Sequence, residues 1–433
     1  MKKNVVRGFI VLLICCVIIP MLSCTKSDVD NIEKIVFWDS YYIGVNDANI
    51  PEGDWYITQA ISRFNDIYPD IQVEYVIVEH SSETIKKFSL ACEGGTGPDI
   101  VTLWSSAYAK NVKDALLPLD SYITQEERET ITGWDTVIFD GITYGYPTND
   151  SGVQVIYYNK AVLERVGLDF DSDYPKTMDE FYAACEVIKN SGETPLLISY
   201  KNGGMDAATM SYWFGQMVDS SNVFYDLAEG KTDFSEQSMF IYAAQKERNL
   251  YINGYTNADV LSADESSLVS RFIRGDGAMI IGNTWYIDSL QELGDQVGII
   301  PLPSINNDAN ITGTGTGGPG LLLGISASST QSDSAIKFIK FLMSRDEMIE
   351  FCNFNNKAIP NRKDIDVHEI STNALLIRHA DLKENGYVVW LDNVLPSSVC
   401  DVWFQYAPLY FTNQLSDDEY LDKLNAALYE SIP

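Results

Sequence analysis

The order of strand and helix patterns in the first quarter of the chain constrains the fold more than any other feature. Three short apolar runs, at residues 33–38, 71–77 and 100–103, are separated by two stretches with helical spacing. In those stretches apolar residues recur every three or four positions, from Ile57 to Tyr68 and from Ile85 to Cys92. This alternation predicts an α/β fold whose sheet is largely parallel and is covered by helices on both faces.

The residues that follow these three strands predict a ligand site at one edge of the sheet. Open α/β sheets bind ligands beyond the carboxyl ends of their strands. Trp38 and Asp39 end the first strand, Glu79 follows the second and Trp104 ends the third. Core packing is the alternative for both tryptophans, and a solvated loop position is the alternative for Glu79.

A second α/β region and the length of the chain predict two lobes. Thr177 to Glu180 forms a capping box that begins a helix, and residues 334–351 predict one long helix. Further strand patterns lie at residues 153–157, 196–200, 278–281 and 296–302. A chain of 433 residues usually forms more than one domain. We therefore predict two lobes, each with a mainly parallel sheet flanked by helices, and a cleft between them.

The amino terminus predicts export. Basic residues precede an uncharged, mostly apolar run at residues 9–19, which is shorter than the roughly 20 residues that a membrane helix needs. Cys24 directly follows the small Ser23, and this ending resembles the lipobox of bacterial lipoproteins. We therefore predict a signal peptide at residues 1–23 and a lipidated tether at residues 24–33. An ordinary secretory signal, in which Cys24 is incidental, is the alternative.

Composition excludes several classes of function. The chain has 61 acidic and 30 basic residues, a formal charge of −31, and such a surface repels nucleic acid and anionic lipids. A hydrophobic content of 45% argues against disorder. Export removes the protein from cytoplasmic ATP and NAD. We predict no cofactor.

The cysteines and histidines indicate no metal site. Cys92, Cys185, Cys352 and Cys400 remain in the predicted mature chain without paired spacing. Most of them lie among apolar neighbours on predicted helices, so buried free thiols are expected, although export also permits disulfides. The three histidines show neither metal-ligand nor triad spacing.

Five stretches in a fixed order carry a resemblance to a known family. They are Gly95-Thr96-Gly97-Pro98-Asp99-Ile100, residues 140–147, residues 175–181, Gly275 to Met279 with Trp285, and residues 297–303. Together they resemble the family 1 extracellular solute-binding proteins of bacterial ABC sugar importers, the group that includes maltose-binding protein. The resemblance runs from about residue 35 to residue 364, which is most of the mature chain.

The resemblance implies two lobes joined by crossing strands near residues 147–152, 298–303 and 317–324. The first lobe would comprise residues 34–147 and about 299–320. The second lobe would comprise residues 148–298 and about 321–433, with the carboxyl-terminal helices. Ligand would lie between the lobes and favour their closed arrangement.

The resemblance also implies a function and further site residues. It implies a non-enzymatic, lipid-anchored, monomeric receptor outside the cytoplasm that delivers a ligand to the permease subunits of an ABC importer. Trp285 matches the family's stacking tryptophan, and Asp150 and Gly317 lie at two of the crossings. Few arginines accompany these positions, which favours a neutral mono- or oligosaccharide. With Trp38, Asp39, Glu79 and Trp104 they form the predicted site.

Two other functions fit the sequence. An exported carbohydrate-active enzyme would need only a suitable pair of carboxylates, and acids are abundant here. A sensor that passes its closed form to a membrane kinase would look the same as a transport receptor.

Overall fold

A computed structural model describes residues 32–44, 50–201, 204–218, 222–307 and 315–432. The predicted signal peptide, Cys24 and most of the tether lie outside these residues. The strands are β1 Glu33–Asp39, β2 Ile71–Ile77, β3 Ile100–Trp104, β4 Ile138–Phe139, β5 Ile142–Thr143, β6 Tyr146–Val153, β7 Val155–Asn159, β8 Leu196–Leu197, β9 Met279–Gly282, β10 Val297–Pro301, β11 Gly315–Ile325 and β12 Tyr387–Val388.

Eighteen α-helices are assigned within the described residues. They are α1 Tyr56–Ile67, α2 Ser82–Glu93, α3 Ala107–Lys110, α4 Gln125–Thr130, α5 Lys160–Arg165, α6 Met178–Asn190, α7 Gly204–Gly215, α8 Asn222–Ala228, α9 Ser238–Ile252, α10 Glu265–Ile273, α11 Ile287–Leu290, α12 Ser332–Leu342, α13 Arg345–Phe354, α14 Val367–Ile370, α15 Ala374–Lys383, α16 Leu391–Val394, α17 Ser397–Phe411 and α18 Asp417–Ser431. Of these, none is long and apolar enough to cross a bilayer.

The first lobe is built on the predicted strand–helix alternation. β1 pairs in parallel with β2 on one side and with β3 on the other, and β11 pairs antiparallel with β3. Its main core joins Ile35 and Phe37 of β1 to Phe64 of α1 and Phe338 of α12. The α/β fold class predicted from the sequence is confirmed.

The second lobe has a four-stranded sheet in the order β10-β7-β9-β8. β7 is antiparallel to both β9 and β10, and β8 is parallel to β9. Three strands therefore run in one direction, and only β7 is reversed. Since β7 follows directly from β6, it is the strand by which the chain enters this lobe. The predicted mainly parallel sheet holds for β1, β2 and β3 of the first lobe, but two of the three pairings in the second-lobe sheet are antiparallel because β7 lies between β9 and β10.

Two long strands connect the lobes. Tyr146 at the start of β6 lies in the first-lobe core, whereas Val153 at its end lies in a second-lobe core. β11 runs antiparallel to β6 and carries Leu323 into the first lobe. The register of this pair shifts between Gly317 and Pro319. β6 and β11 thus form the floor between the lobes, which we call the crossing strands.

The structure differs from the predicted lobe boundaries in two places. β10 pairs with β7 over its whole length, and Leu302 and Ile305 pack in the second-lobe core. Residues 299–305 therefore belong to the second lobe, because Pro301 ends a strand of its sheet and does not mark a crossing. Residues 321–354 return to the first lobe through β11, α12 and α13. Residues of α16, α17 and α18 pack in the second-lobe core.

The long helix predicted at residues 334–351 is two helices. α12 ends at Leu342 and α13 begins at Arg345. Ser344 is the N-cap of α13, and its side chain accepts a hydrogen bond from the backbone N–H of Glu347. A serine followed by acidic residues is a helix start signal, and it outweighs the continuous apolar stripe. The capping box of α6 at Thr177 and Glu180 is confirmed.

Candidate functional site

A cavity of about 440 Å³ lies between the two lobes. Ser106, Asp135 and Phe139 line it from the first lobe, and Tyr225 and Val394 line it from the second. Its volume is within the usual range for small-molecule sites. A larger cavity of about 930 Å³ lies beside α13, α14 and α15. None of the predicted site residues lines either cavity.

Trp285 lies in a groove of about 660 Å³ on the second lobe, between α10 and residues 285–292. The carboxylate of Glu265, at the start of α10, accepts hydrogen bonds from Trp285 Nε1 at 3.3 Å and from the Tyr286 hydroxyl at 2.5 Å. The indole of Trp390 lies 6.4 Å from that of Trp285, with 31° between the ring planes. Trp285 is thus half-buried, fixed at its edge and next to a second indole.

The crossing strands bring Gly317 and Asp150 close together, as the resemblance implied. Gly317 pairs with Val153 and Pro319 pairs with Asp150. A side chain at Gly317 would meet the carbonyl oxygen of Gly152 at 1.9 Å, so only glycine fits there. This close approach is a packing reason for Gly317, independent of any ligand.

Asp150 already has protein partners. Its side chain is fully buried and forms an ion pair with Lys383 at the end of α15. Its Oδ1 also accepts a hydrogen bond from the backbone N–H of Gly152 at 3.0 Å. These bonds neutralise the carboxylate and tie α15 to β6, so the structure favours a structural role. Ligand contact by Asp150 stays a prediction.

Asp39 is buried beneath the carboxyl ends of β1 and β2. Its Oδ2 accepts hydrogen bonds from the Tyr75 hydroxyl and the Tyr42 backbone N–H, both at 2.8 Å. His80 Nε2 lies 3.5 Å from its other oxygen. Burial alone would raise the pKa of Asp39, but the hydrogen bond and charge of His80, together with the other donors, lower it. Asp39 therefore organises the first lobe, and its predicted ligand contact is untested.

The three other first-lobe residues lie in two environments. Trp38 and Trp104 are half-buried and pack against the same apolar cluster, which includes Phe88 and Leu103. Trp104 also contacts Tyr108 of α3, with ring centroids 4.9 Å apart. Glu79 is exposed beyond the end of β2, which is the edge strand of the sheet. The structure therefore brings the two tryptophans together and leaves Glu79 at the edge.

Burial and nearby acidic groups raise the pKa of several tyrosines in the two lobes. Burial, and then the charge of Asp135, raises the pKa of Tyr225 and of Tyr387. Burial also raises the pKa of Asp392 in α16 to about 6. Tyr108 lies opposite, and its pKa is raised by burial and by Cys400 and Asp392. Of these pairs, Asp135 of the first lobe and Tyr225 of the second both line the cavity.

The sequence prediction missed the second-lobe part of this cleft. Tyr225, Tyr387, Trp390 and Asp392 were not singled out, since residues 384–394 lie beyond the last stretch that resembles the family. The run Gly386-Tyr387-Val388-Val389-Trp390 is a visible signal, because two aromatic residues flank a pair of valines before a short helix.

The described residues contain no group of three histidine, cysteine or acidic side chains that would hold a metal ion. The cysteines Cys92, Cys185, Cys352 and Cys400 are buried and unpaired, as expected. Burial raises the pKa of the Cys185 and Cys352 thiols, in the second case to about 12, which keeps both protonated.

Comparison with known families decides the classification. The family described as bacterial extracellular solute-binding protein matches residues 47–349, more than two thirds of the chain. The chain belongs to this family. The resemblance inferred from the five stretches is therefore confirmed.

Two curated relatives carry names that include a sugar. The maltotriose-binding protein of Pyrococcus abyssi (strain GE5 / Orsay) is 22% identical over 327 residues, covering 73% of this chain and 64% of the relative. The galactooligosaccharide-binding protein of Bacillus subtilis (strain 168) is 22% identical over 263 residues, covering 59% of each. The chain thus spans less than two thirds of the length of both relatives.

Solved structures of the family share the fold. A family 1 extracellular solute-binding protein from Bifidobacterium longum subsp. infantis superimposes with a TM-score of 0.74 at 19% identity. The match covers 92% of this chain and 99% of that one. The two-lobed fold predicted from the sequence is confirmed by this likeness.

Proposed function

We propose that the protein binds a neutral sugar or oligosaccharide between its lobes and delivers it to the permease of an ABC importer. The observation that carries this proposal is the cavity of about 440 Å³ that residues of both lobes line. A ligand held there contacts both lobes, so its binding favours their closed arrangement. The names of the maltotriose- and galactooligosaccharide-binding relatives support a carbohydrate.

The chemistry of the cleft favours a neutral guest. The groups that line the cavity include the carboxyl of Asp135 and the phenol of Tyr225, and the half-buried indoles of Trp104, Trp285 and Trp390 lie outside that lining. Indole faces suit the C–H faces of sugars, and carboxylates accept hydrogen bonds from hydroxyls. Of the predicted site residues, Trp104 and Trp285 fit this role, Trp38 supports Trp104 by packing, and Gly317 shapes the floor.

A ligand screen tests the proposal. Purified protein is tested by thermal shift and calorimetry against neutral mono- and oligosaccharides, with acidic sugars and polyamines as comparisons. We expect at least one neutral sugar to raise the unfolding temperature and to bind with one-to-one stoichiometry. Stabilisation by a polyamine or acidic ligand alone would contradict a neutral guest. Recovering the sugar unchanged after prolonged incubation separates a receptor from an exported carbohydrate-active enzyme.

We also propose that the protein is anchored outside the cytoplasm by lipid on Cys24. The support is the sequence of the signal, since Cys24 lies outside the described residues. Metabolic labelling with a fatty-acid analogue should mark the wild-type protein and should not mark Cys24→Ala, which should be released in soluble form. Labelling that persists in Cys24→Ala would contradict this anchor. The permease partner and the monomeric state belong to the same proposal.

A further inference from the structure

We propose that the cleft selects hydroxyl groups by placing a carboxylate of one lobe opposite a phenol of the other. The two sets are Asp135 facing Tyr225 and Tyr387, and Asp392 facing Tyr108. This inference rests on the proposed function and deepens it, because it assigns the polar contacts of a neutral, polyhydroxylated ligand to residues on both lobes.

The first set spans the cavity between the lobes. Asp135 and Tyr225 both line this cavity, Asp135 from the loop after α4 and Tyr225 from α8. Tyr387 does not line the cavity; it lies next to the crossing strands, where a Cβ added at Gly318 would meet its ring at 2.5 Å. Asp135 is accessible from the cavity, and partial burial of its carboxyl raises the pKa of that group. The charge of Asp135 acts on both phenols.

In the second set, the second lobe supplies the carboxylate and the first lobe supplies the phenol. Asp392 belongs to α16 of the second lobe, which packs near α3 of the first lobe, where Tyr108 lies. The Oδ1 atom of Asp392 is buried and lacks a hydrogen-bond partner within the described part of the chain. Tyr108 contacts Trp104 edge to face, with ring centroids 4.9 Å apart, and burial followed by the charges of Cys400 and Asp392 raises the pKa of its phenol. An acceptor without a donor is thus left at the seam between the lobes.

Facing acceptors and donors discriminate between ligand groups. A carboxylate only accepts hydrogen bonds, whereas a phenol donates one and also accepts. A group between them must donate to one wall and accept from the other, and a hydroxyl does both. A phosphate or carboxylate cannot donate to Asp135, and an ammonium group cannot accept from a phenol. The arrangement therefore favours hydroxyls over anions, whereas an ammonium group can still donate to the carboxylate and to the phenol oxygen.

The cations nearest this cavity are already paired. Lys110 lies 3.8 Å from Asp140, and Lys113 forms a closer ion pair with the same carboxylate. Lys383, at the floor, is paired with Asp150. Among the residues that the structure describes, none of these cations is left to neutralise Asp135 or Asp392. An anionic ligand would meet uncompensated negative charge on both walls.

Calorimetry on conservative variants tests the assignment. The probes are maltotriose with a panel of neutral oligosaccharides, glucuronic acid as an anion and spermidine as a cation. Asp135→Asn and Asp392→Asn should each weaken binding of the neutral sugar about 10- to 100-fold, because hydrogen bonds to charged groups are lost. Tyr225→Phe and Tyr108→Phe should each cost about 3- to 10-fold. Asp70→Asn and Tyr429→Phe, both exposed and away from the cavity, are the matched controls.

The outcomes separate this inference from the proposed function. If a neutral sugar binds and all four cleft variants bind it like the controls, the assignment is wrong and the receptor function stands. Binding of glucuronic acid as tight as that of the neutral sugar also overturns the selection. If the wild-type protein binds no neutral sugar, the proposed function fails and the assignment fails with it. A far-ultraviolet spectrum and a thermal transition for each variant establish folding, and the phenylalanine variants stand in where an asparagine variant is unfolded.

Discussion

Carboxyl groups in this protein differ in whether other protein groups already bind them. Asp39 and Asp150 were predicted as ligand contacts from their positions in the chain, and both are buried with protein partners. Asp135 and Asp392 were not selected from the sequence. Asp135 lines the cavity and Asp392 is buried in α16, and within the described residues neither forms an ion pair. A position at a strand end therefore identifies the edge of the sheet at which ligands bind. The hydrogen-bond donors around each acid decide whether that acid is available to a ligand.

The stacking role of Trp285 leads to the first prediction. Trp285→Ala should weaken sugar binding by about 1–3 kcal/mol, because the indole face is lost from the second-lobe groove. Calorimetry with the sugar found by the ligand screen measures the change. Trp55→Ala removes an equally half-buried indole from the first lobe outside the cavity and serves as the control. Equal affinities for Trp285→Ala and the wild type would remove Trp285 from the site.

The buried carboxyl of Asp392 predicts a pH dependence of stability. Its pKa is about 6 in the folded protein and ordinarily 3.8, so the folded state binds this proton more tightly than the unfolded chain. The resulting stabilisation is present below about pH 4 and is lost as the pH rises through 6. Asp392→Asn, which has no charge to bury, should match the wild type near pH 4. It should exceed the wild type by roughly 2–3 kcal/mol at pH 7.5.

Urea unfolding at both pH values measures this difference. The comparison is made between the variant and the wild type at each pH, so that the titration of other acids cancels. A difference that is constant across the range would mean that the carboxyl of Asp392 is solvated in the folded state.

At the scale of elements, the crossing strands carry the most specific packing. β6 and β11 approach so closely at Gly152 and Gly317 that a methyl group does not fit. Gly320 lies three residues further along β11, and a Cβ added there would meet no atom within 4 Å. Gly317 and Gly320 therefore allow a crowded and an uncrowded glycine to be compared on the same strand.

Gly317→Ala should lower the free energy of unfolding by about 1–3 kcal/mol, because the added carbon forces the two strands apart. Gly320→Ala should change it by less than about 1 kcal/mol, since nothing opposes the added methyl group. Urea denaturation of both variants provides the measurement. Similar costs for the two substitutions would show that the strands separate freely at Gly317.

The ion pair between α15 and β6 provides a second element-scale prediction. Lys383→Met leaves the carboxylate of Asp150 buried without a cation, which typically costs about 3–5 kcal/mol. Adding Asp150→Asn removes that charge, so the double variant should recover most of the loss. Chemical denaturation of the two single variants and the double variant gives the coupling energy. A Lys383→Met variant as stable as the wild type would show that water replaces the lysine.

Sequence patterns predicted elements where local signals were strong. The strands and helices between residues 33 and 104 and the capping box at Thr177 follow from spacing and caps alone. The break at Ser344 was missed because the apolar stripe continues through it, and only the cap marks the end of one helix. The membership of β10 depended on its pairing with β7, which is a contact over more than 130 residues of sequence that no local pattern records.

At the scale of the whole molecule, the sequence predicted candidate residues mainly in the first lobe, because contacts between distant segments form the second-lobe wall. The first-lobe strand ends could be found by rule, since parallel strands present their carboxyl ends together. The second-lobe wall comes from residues 225, 285 and 387–392, which meet only after α7, α9, α16 and α17 have packed into one core. Tertiary packing between distant segments brings Trp390 to within 6.4 Å of Trp285, and local sequence patterns do not record such contacts.

The arrangement of two lobes on a two-stranded floor leads to the final prediction, which is closure. A ligand that contacts both lobes must stabilise the closed arrangement by its difference in affinity for the two states. Small-angle scattering should therefore show a smaller radius of gyration in the presence of the sugar found by the ligand screen. Trp285→Ala should reach the same final radius at a higher sugar concentration, because it weakens binding without altering the floor. A non-binding sugar is the control, and an unchanged radius at saturation would mean that the ligand binds one lobe only.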